Sequence, residues 1–371
     1  MSAGGMLRPA GPQAEALAGV MNTTLIVCAF AFVFAMVCLA AALWWKGRRP
    51  VSTALWLWGG GLVLPVLVFG GLLLHGERQA YGLDDPSPPG AMRVAVTGHL
   101  WWWSMRYEAE PASSTARNAQ GTSAAPDLPA FSTANELRVP VGRPVTLTLA
   151  SDDVIHSYWV PALGGKVDMV PGRLNRLTFT ASQPGVFRGP CSEYCGTQHA
   201  AMVLQVVAMP PDEFARWRQA QAAAAPEPVS RQALRGAALF RENGCASCHS
   251  VRSTGGGGDA GNAGVSGSAR QDLADAPPLG PDLTHVASRL WLGAGALRNR
   301  DPLGDPRTAL RQWIRDVQQV KPGARMPSYK HLSADEIDAI VEFLAGPPVA
   351  GGGSDRPLVA ATPAGPEEKT P

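Results

Sequence analysis

Two long apolar runs open the chain. Met21 to Trp45 carries no charged residue, and a second run from about Thr53 to His75 follows a basic group, Lys46, Arg48 and Arg49. Each run exceeds the ~20 residues that a helix needs to cross a bilayer. A two-helix transmembrane hairpin is therefore expected over residues 21–75. Basic residues between two such helices stay cytoplasmic, so residues 1–20, an N-terminal tail, and everything after the second helix should face outward. Residues 1–20 lack the basic-then-apolar layout of a cleavable leader. Gly59-Gly60-Gly61 and Pro65 are helix breakers that a membrane span tolerates. His75 reads as a residue of the membrane interface.

Beyond a polar, proline-bearing connector at 76–91 the pattern shortens. Met92–Thr97, Glu136–Val139, Pro144–Leu149, Asn175–Thr180, Gly185–Arg188 and Val203–Val207 are short runs rich in Val, Leu, Thr and aromatics, separated by Gly/Pro turns. That rhythm predicts a β-sandwich or barrel over 92–209, with a Ser/Ala/Pro-rich surface loop from Ala109 to Thr133. Residues 210–229 read as a linker that contains a helix-forming stretch, Asp212 to Ala224. From 230 to 347 the period becomes helical. Arg231–Phe240 suits a helix packing through Gly236 and Phe240, and Ser333 with Glu336 caps a last helix carrying Ile337, Ile340, Val341 and Leu344. Gly255–Ala276 is a Gly/Ser/Ala-rich insertion, and 348–371 is a tail of disordered composition.

Composition agrees with partial residence in lipid: charged residues are 17% and hydrophobic ones 46%. Membrane lipid is thus one partner. The net charge of +2 predicts no general affinity for nucleic acid. Six cysteines are present; Cys28 and Cys38 fall in the first apolar run, and the other four come as two close pairs. Such pairing fits metal or haem attachment better than a disulfide framework.

The first pair lies in Cys191-Ser192-Glu193-Tyr194-Cys195-Gly196-Thr197-Gln198-His199-Ala200-Ala201-Met202. Thiolates, an imidazole and a thioether form a soft donor set of the kind that selects copper, and His156 offers a second imidazole upstream. Two thiolates and two imidazoles could equally close a tetrahedral zinc site. A plain helix face is the third reading, weakened by Gly196 and Pro190. The second pair lies in Cys245-Ala246-Ser247-Cys248-His249, the spacing of c-type haem attachment, with Cys245 and Cys248 as thioethers and His249 as the proximal iron ligand. Met326 is the only methionine after Met209 and is the expected sixth ligand; His285 and His331 compete.

The loop from Cys191 to Met202 resembles the binuclear copper (CuA) loop of subunit II of the haem-copper respiratory oxidases. The likeness runs from about Val94 to Val207 and includes Gly98-His99-Leu100-Trp101-Trp102-Trp103-Ser104, Pro161-Ala162-Leu163-Gly164-Gly165-Lys166 and Asp168-Met169-Val170-Pro171-Gly172-Arg173. It implies a cupredoxin-like domain in which Cys191 and Cys195 bridge two coppers. His156 and His199 each bind one, Met202 is a weak ligand and Glu193 gives its backbone carbonyl. It further implies that the Glu193 side chain helps hold a magnesium ion shared with subunit I, near Asp168 and Arg173, and that Trp101 is where electrons come in. His99 reads as a packed, hydrogen-bonded residue.

Residues from about Ser230 to Gly346 are similar to the all-α class I cytochromes c, with Gly280-Pro281-Asp282-Leu283-Thr284-His285 and Lys321-Pro322-Gly323-Ala324-Arg325-Met326-Pro327 in matching places. Together the two likenesses imply the caa3 arrangement, a subunit II with a fused cytochrome c domain, held in the inner membrane with its redox domains on the periplasmic side. Its partners would be oxidase subunits I and III and an external donor such as a cytochrome c. The oxygen-reducing site would lie in another subunit of a proton-translocating oxidoreductase. Two other readings stay open on the sequence: the input subunit of a CuA-containing nitric oxide reductase, and a membrane-tethered copper-binding protein without turnover. One departure from the family concerns proton pumping, since Pro50 to Leu74 holds no acidic residue near the start of the second helix.

Overall fold

The computed structural model describes residues 5, 7–44, 52–81, 88–110, 129–252, 279–299 and 305–346. The basic group at 46–49, most of the 109–133 interruption, the 255–276 insertion and the 348–371 tail lie outside the described residues. Two membrane-length helices, a β domain and a helical domain follow one another along the chain.

Helix α1 spans Pro12–Trp44, nine residues earlier than the apolar run alone indicates. Proline suits a first helical turn and Glu15 sits at the positive end of the helix dipole. At ~1.5 Å per residue the helix is roughly 50 Å long, against a hydrocarbon core of about 30 Å. The helix is therefore longer than a perpendicular span needs, and the residues at its start are tied to the β domain. Ala10 donates to the carbonyl of Ala162 and accepts from Ser182, both at 2.7 Å. At Gly11 a Cβ would lie 2.2 Å from the Thr180 carbonyl oxygen. The start of α1 thus lies against the β domain. The second span is π-helical over Leu55–Val63 and continues as α2, Leu64–Ala80. The wide turns coincide with Gly59–Gly61 and precede Pro65, whose missing N–H forbids regular helix pairing there. Apolar side chains such as Phe30, Leu67 and Phe69 point outward on both helices.

The β domain holds a five-stranded sheet in the order β3-β2-β1-β5-β8 and a three-stranded sheet, β4-β10-β9. Its strands are β1 Met92–His99, β2 Trp102–Tyr107, β3 Phe131–Ala134, β4 Glu136–Pro140, β5 Val145–Ser151, β6 His156–Tyr158, β7 Val167–Met169, β8 Asn175–Phe179, β9 Gly185–Pro190 and β10 Val203–Met209. The short pair β6-β7 stands apart from both sheets. β1 runs parallel to β5, and β10 parallel to β4. Inward residues of both sheets, Val94, Val96, Leu147, Leu149, Phe187 and Val206 among them, form one core. Two expectations change here. β3 begins inside the stretch read as a surface loop, because Phe131 stacks on Tyr107 at 4.6 Å. The helix expected over Asp212–Ala224 is found as α3, Pro211–Ala222, but it does not act as a linker; Trp217 meets the rings of Tyr107 and Phe131 at 5.5 and 5.9 Å. Phe214 and Arg218 are buried with it, so α3 belongs to the β domain.

In the helical domain α4 (Arg231–Glu242) crosses the last helix, α7 (Ala334–Ala345). The crossing is close because α4 presents Gly236, with Phe240 against Phe343 at 5.5 Å. Ser333 and Glu336 form the expected reciprocal cap of α7. Between them lie a small hairpin, β11 Trp291–Leu292 and β12 Leu297–Arg298, then α5 Arg307–Arg315 and the short α6 Val317–Val320.

The two outer domains are packed together. β4 is buried on both faces. Leu137 and Val139 point into the β core, whereas Arg138 Nη2 donates to Ser288 O at 3.1 Å and Glu136 Oε2 accepts from Leu290 N at 2.8 Å. Glu136 and Arg138 also pair with each other at 2.6 Å. Val203 N donates to Ala294 O at 2.9 Å. A buried ion pair of this kind is costly to break from one side. Arg138→Met is expected to leave Glu136 buried and unpaired and to loosen the helical domain, by about 3 kcal/mol or more; the appearance of protease cleavage between residues 222 and 231 measures it.

Candidate metal and haem sites

The loop from Cys191 to Met202 joins β9 to β10, and the ladder between those strands fixes its ends: Cys191 N donates to Met202 O at 2.9 Å. Gly196 adopts φ +111°, a conformation open chiefly to glycine, and the Trp101 ring covers it. The donors of the loop consequently turn inward. Cys191 Sγ lies 3.8 Å from Cys195 Sγ, and Cys195 Sγ lies 3.8 Å from Met202 Sδ. His156 Nδ1 stands 3.8 Å from Cys191 Sγ, whereas His199 Nδ1 stands 3.6 Å from Cys195 Sγ. Each imidazole thus addresses a different sulfur. The Cys191 thiol also lies 3.3 Å from the carbonyl of Glu193. Cys191, Cys195, His156 and Met202 are all buried.

The sulfur–sulfur hydrogen bond with Cys195 holds Cys191 well below the ordinary thiol range, overcoming the burial that would raise it, and the same contact pushes Cys195 up. Thiols must lose their protons to ligate a metal, so metal binding at this cluster releases protons and is pH-dependent. Two sulfurs, two imidazole nitrogens, a thioether and a carbonyl gathered at these distances fit a soft metal centre. The thioether beside Cys195 is a donor that zinc does not use.

Sequence reasoning missed the residues that aim these ligands. Asp153 Oδ1 lies 2.9 Å from His156 Nε2, which turns Nδ1 toward the sulfur, and Asp153 Oδ2 accepts from Leu100 N at 2.8 Å. Carboxylate partners of this kind fix the tautomer and orientation of a ligating histidine. The signal was present as an aspartate three residues before His156. Gly98 supplies the space, since a Cβ there would sit 2.7 Å from His156 Cδ2. Asp153→Ala is expected to weaken copper binding by about 10- to 100-fold, measured by competition with a chelator; unchanged affinity would show that packing alone orients His156.

Strand β2 begins at Trp102, so Trp101 lies in the preceding turn rather than in a strand. Even so, Trp101 and Trp103 both meet the cluster. Trp101 Nε1 donates to Cys195 O at 2.8 Å, and the Trp103 ring lies 6.0 Å from His156. Trp102 stacks on His99 at 4.1 Å. His99 is buried against Asp152 and Ser104, and burial lowers its pKa to about 4; it is a packed residue, as expected. Asp168 and the Glu193 carboxylate both pair with Lys166, at 3.0 and 3.5 Å, on an exposed surface. Arg173 lies exposed in the turn between β7 and β8.

In the helical domain Cys245, Cys248, His249 and Met326 line one apolar cavity of about 340 Å³, within the range of cofactor sites. His249 Nδ1 donates to Pro281 O at 2.8 Å, leaving Nε2 free. Burial holds His249 below its ordinary pKa, hence neutral. Gly280 makes room, because a Cβ there would meet His249 Cε1 at 2.7 Å. His285 instead faces Ala223 O at 3.0 Å, and His331 is exposed. The donor set and the apolar lining fit a c-type haem. The far wall of the cavity comes from the β domain: Leu100, Trp101, Trp102 and Asn135.

Comparison with known proteins gives this arrangement a family. The chain is 31% identical over 351 residues to the cytochrome c oxidase subunit 2 of Alkalihalophilus pseudofirmus, spanning 91% of this chain and 89% of that one. The chain belongs to the cytochrome c oxidase subunit II family. The family model described as "Cytochrome C oxidase subunit II, periplasmic domain" matches residues 92–209, and "Cytochrome c" matches 233–346. Subunit 2 of Bacillus subtilis is 28% identical, over 76% of this chain and 72% of that one. The crystal structure of the periplasmic domain of subunit II from Bradyrhizobium japonicum is 31% identical and covers 36% of this chain and 95% of that chain, with a TM-score of 0.29. As a cytochrome c oxidase subunit II the protein is part of a haem-copper oxidoreductase complex and associates with other oxidase subunits. Its two outer domains are those of copper and haem c, and two apolar helices of membrane-spanning length precede them.

Proposed function

We propose that this subunit is the electron input of its oxidase, relaying electrons from an external donor such as a cytochrome c, through c-type haem and a binuclear CuA centre, to subunit I. Haem and copper supply two one-electron centres when bound. Cys245 and Cys248 would anchor the haem, and His249 and Met326 would be the residues that ligate its iron. Cys191, Cys195, His156, His199, Met202 and the Glu193 carbonyl hold the second. Thiolates of Cys191 and Cys195 shared by such a centre would spread one unit of charge over it, so little of the surrounding chain would need to move on electron transfer. The Glu193 carboxylate would help hold a magnesium ion at the boundary with subunit I, which Asp168 and Arg173 also face. Subunit III completes the complex. The helices lie in the plasma membrane with both redox domains on the periplasmic side.

The observation that carries the route is Trp101. Its ring lines the haem cavity while its Nε1–H donates to the Cys195 carbonyl at 2.8 Å. One side chain thus joins the two cofactor sites, and Trp101 is the point of electron input to copper. The test is made on the purified, copper-loaded oxidase. A mixed-valence dicopper EPR pattern is expected, together with reduction of that copper after reduction of the haem. A site holding a single zinc, or a haem that does not pass charge to copper, would sink the reading. Oxygen rather than nitric oxide is the gas the complex is expected to consume. Met326→Ala is expected to remove the methionine-to-iron absorption band and to lower the haem potential, since thioether ligation raises it.

A further inference from the structure

Lys321 opens the turn that leads to Met326, yet its side chain leaves the haem domain's surface to enter the contact with the copper domain. It is 3% exposed. Its Nζ donates to Gly293 O at 2.7 Å within its own domain. It also donates to Trp101 O at 2.8 Å and to Ala201 O at 2.9 Å in the copper domain. An ammonium has three N–H donors and no acceptor, so the three carbonyls use its hydrogen-bonding capacity in full. Burial lowers its pKa to about 8, which leaves it charged at neutral pH.

The partners explain why a charge is placed here. Trp101 is bonded to Cys195 through its indole, and Ala201 immediately precedes Met202, so both copper-side carbonyls belong to the wall of the metal cluster. The lysine stem lines the haem cavity, while its head reaches the copper loop. The nearest bond in the same contact is Gln198 Nε2 to Pro322 O at 2.5 Å, which ties the copper loop to the residue after Lys321. Among the described residues, the three partners of the ammonium are neutral carbonyls. Burying a cation without a carboxylate opposes docking, so an interface selected for adhesion alone would favour an uncharged side chain. A fixed cation beside a metal pair stabilises that pair when it gains an electron.

We propose that Lys321 is a positioning residue that latches the haem domain onto Trp101 and, through its charge, biases the shared electron toward the copper pair. The proposal rests on the haem-to-copper reading above. Its test uses the assembled oxidase and compares wild type with Lys321→Met and Lys321→Arg. Wild type must first show the dicopper pattern and haem-driven reduction of copper; their absence there rejects the haem-to-copper reading itself.

Given those, Lys321→Met is expected to keep the dicopper EPR pattern and the methionine-to-iron band. Its equilibrium distribution of one electron is expected to shift toward haem by about tenfold, which for one electron corresponds to about 59 mV. Haem-to-copper transfer is expected to slow as well. Lys321→Arg keeps the charge and is expected to retain the wild-type distribution. A distribution unchanged in Lys321→Met overturns the proposal. A second measurement needs no variant. An amine-reactive ester at neutral pH is expected to modify Lys330, whose side chain is 65% exposed, and to spare Lys321. Modification of Lys321 as fast as Lys330 also overturns it.

Discussion

Cys195→Ser is expected to abolish electron input to the oxidase while leaving the haem domain intact. Cys195 is the hub of the cluster: its sulfur lies 3.8 Å from Cys191 Sγ, 3.6 Å from His199 Nδ1 and 3.8 Å from Met202 Sδ. Its carbonyl is also the acceptor for Trp101 at 2.8 Å. A serine hydroxyl ionises far above neutral pH and is a hard donor, so it cannot replace a bridging thiolate for copper. Changes to residues that merely support a ligand cost about 10- to 100-fold. Loss of a ligand proposed to bridge should exceed that range, with donor-driven oxygen consumption falling by more than about 100-fold. The absorption bands of the haem should not change, because Cys245 packs against a hydrophobic core separate from that of the β domain. Copper content, EPR and oxygen uptake measure the outcome; a surviving dicopper pattern in the variant would remove Cys195 from the bridge.

Gly236→Ala is expected to prevent the haem domain from maturing normally. A Cβ at this position would lie 1.9 Å from the Ala339 carbonyl oxygen and 2.5 Å from its carbon. Both are backbone atoms, so no side-chain rotation relieves the overlap and α4 must move away from α7. That movement also parts Phe240 from Phe343 and opens the cavity lined by Phe240 and Ile340. Overpacking costs typically about 1–3 kcal/mol, and a backbone clash belongs at or beyond the upper end. For a domain near 100 residues each kcal/mol is worth roughly 4–8 °C in Tm, so a fall of more than about 10 °C is expected. Thermal unfolding followed in the haem absorption band checks this, and a variant with the wild-type transition would show that the helices do not cross at Gly236.

Much of this was legible beforehand because it is encoded locally. The membrane helices follow from the length and purity of apolar runs, which needs no tertiary contact. The crossing of α4 and α7 was readable from Gly236, Phe240 and the Ser333–Glu336 cap, all features of single helices. The candidate copper and haem ligands were legible because close spacing within a loop, Cys191 to Met202 or Cys245 to His249, already brings the donors together. Only His156 and Met326 come from outside those loops.

What the tertiary structure decided concerns groups whose role depends on partners far along the chain. Helix α3 looked like a linker because its own sequence is polar; Trp217 anchors it only once Tyr107 and Phe131 are side by side. Glu136 and Arg138 alternate with Leu137 and Val139 in an ordinary strand pattern, and nothing local shows that the polar face is also buried. Trp101 and Lys321 stand 220 positions apart. No periodicity or spacing relates them, because their meeting is fixed by the docking of one folded domain on another. The amino-acid sequence by itself determined which cofactors the chain can hold; the packing of the two domains decided that one tryptophan and one buried cation stand between them.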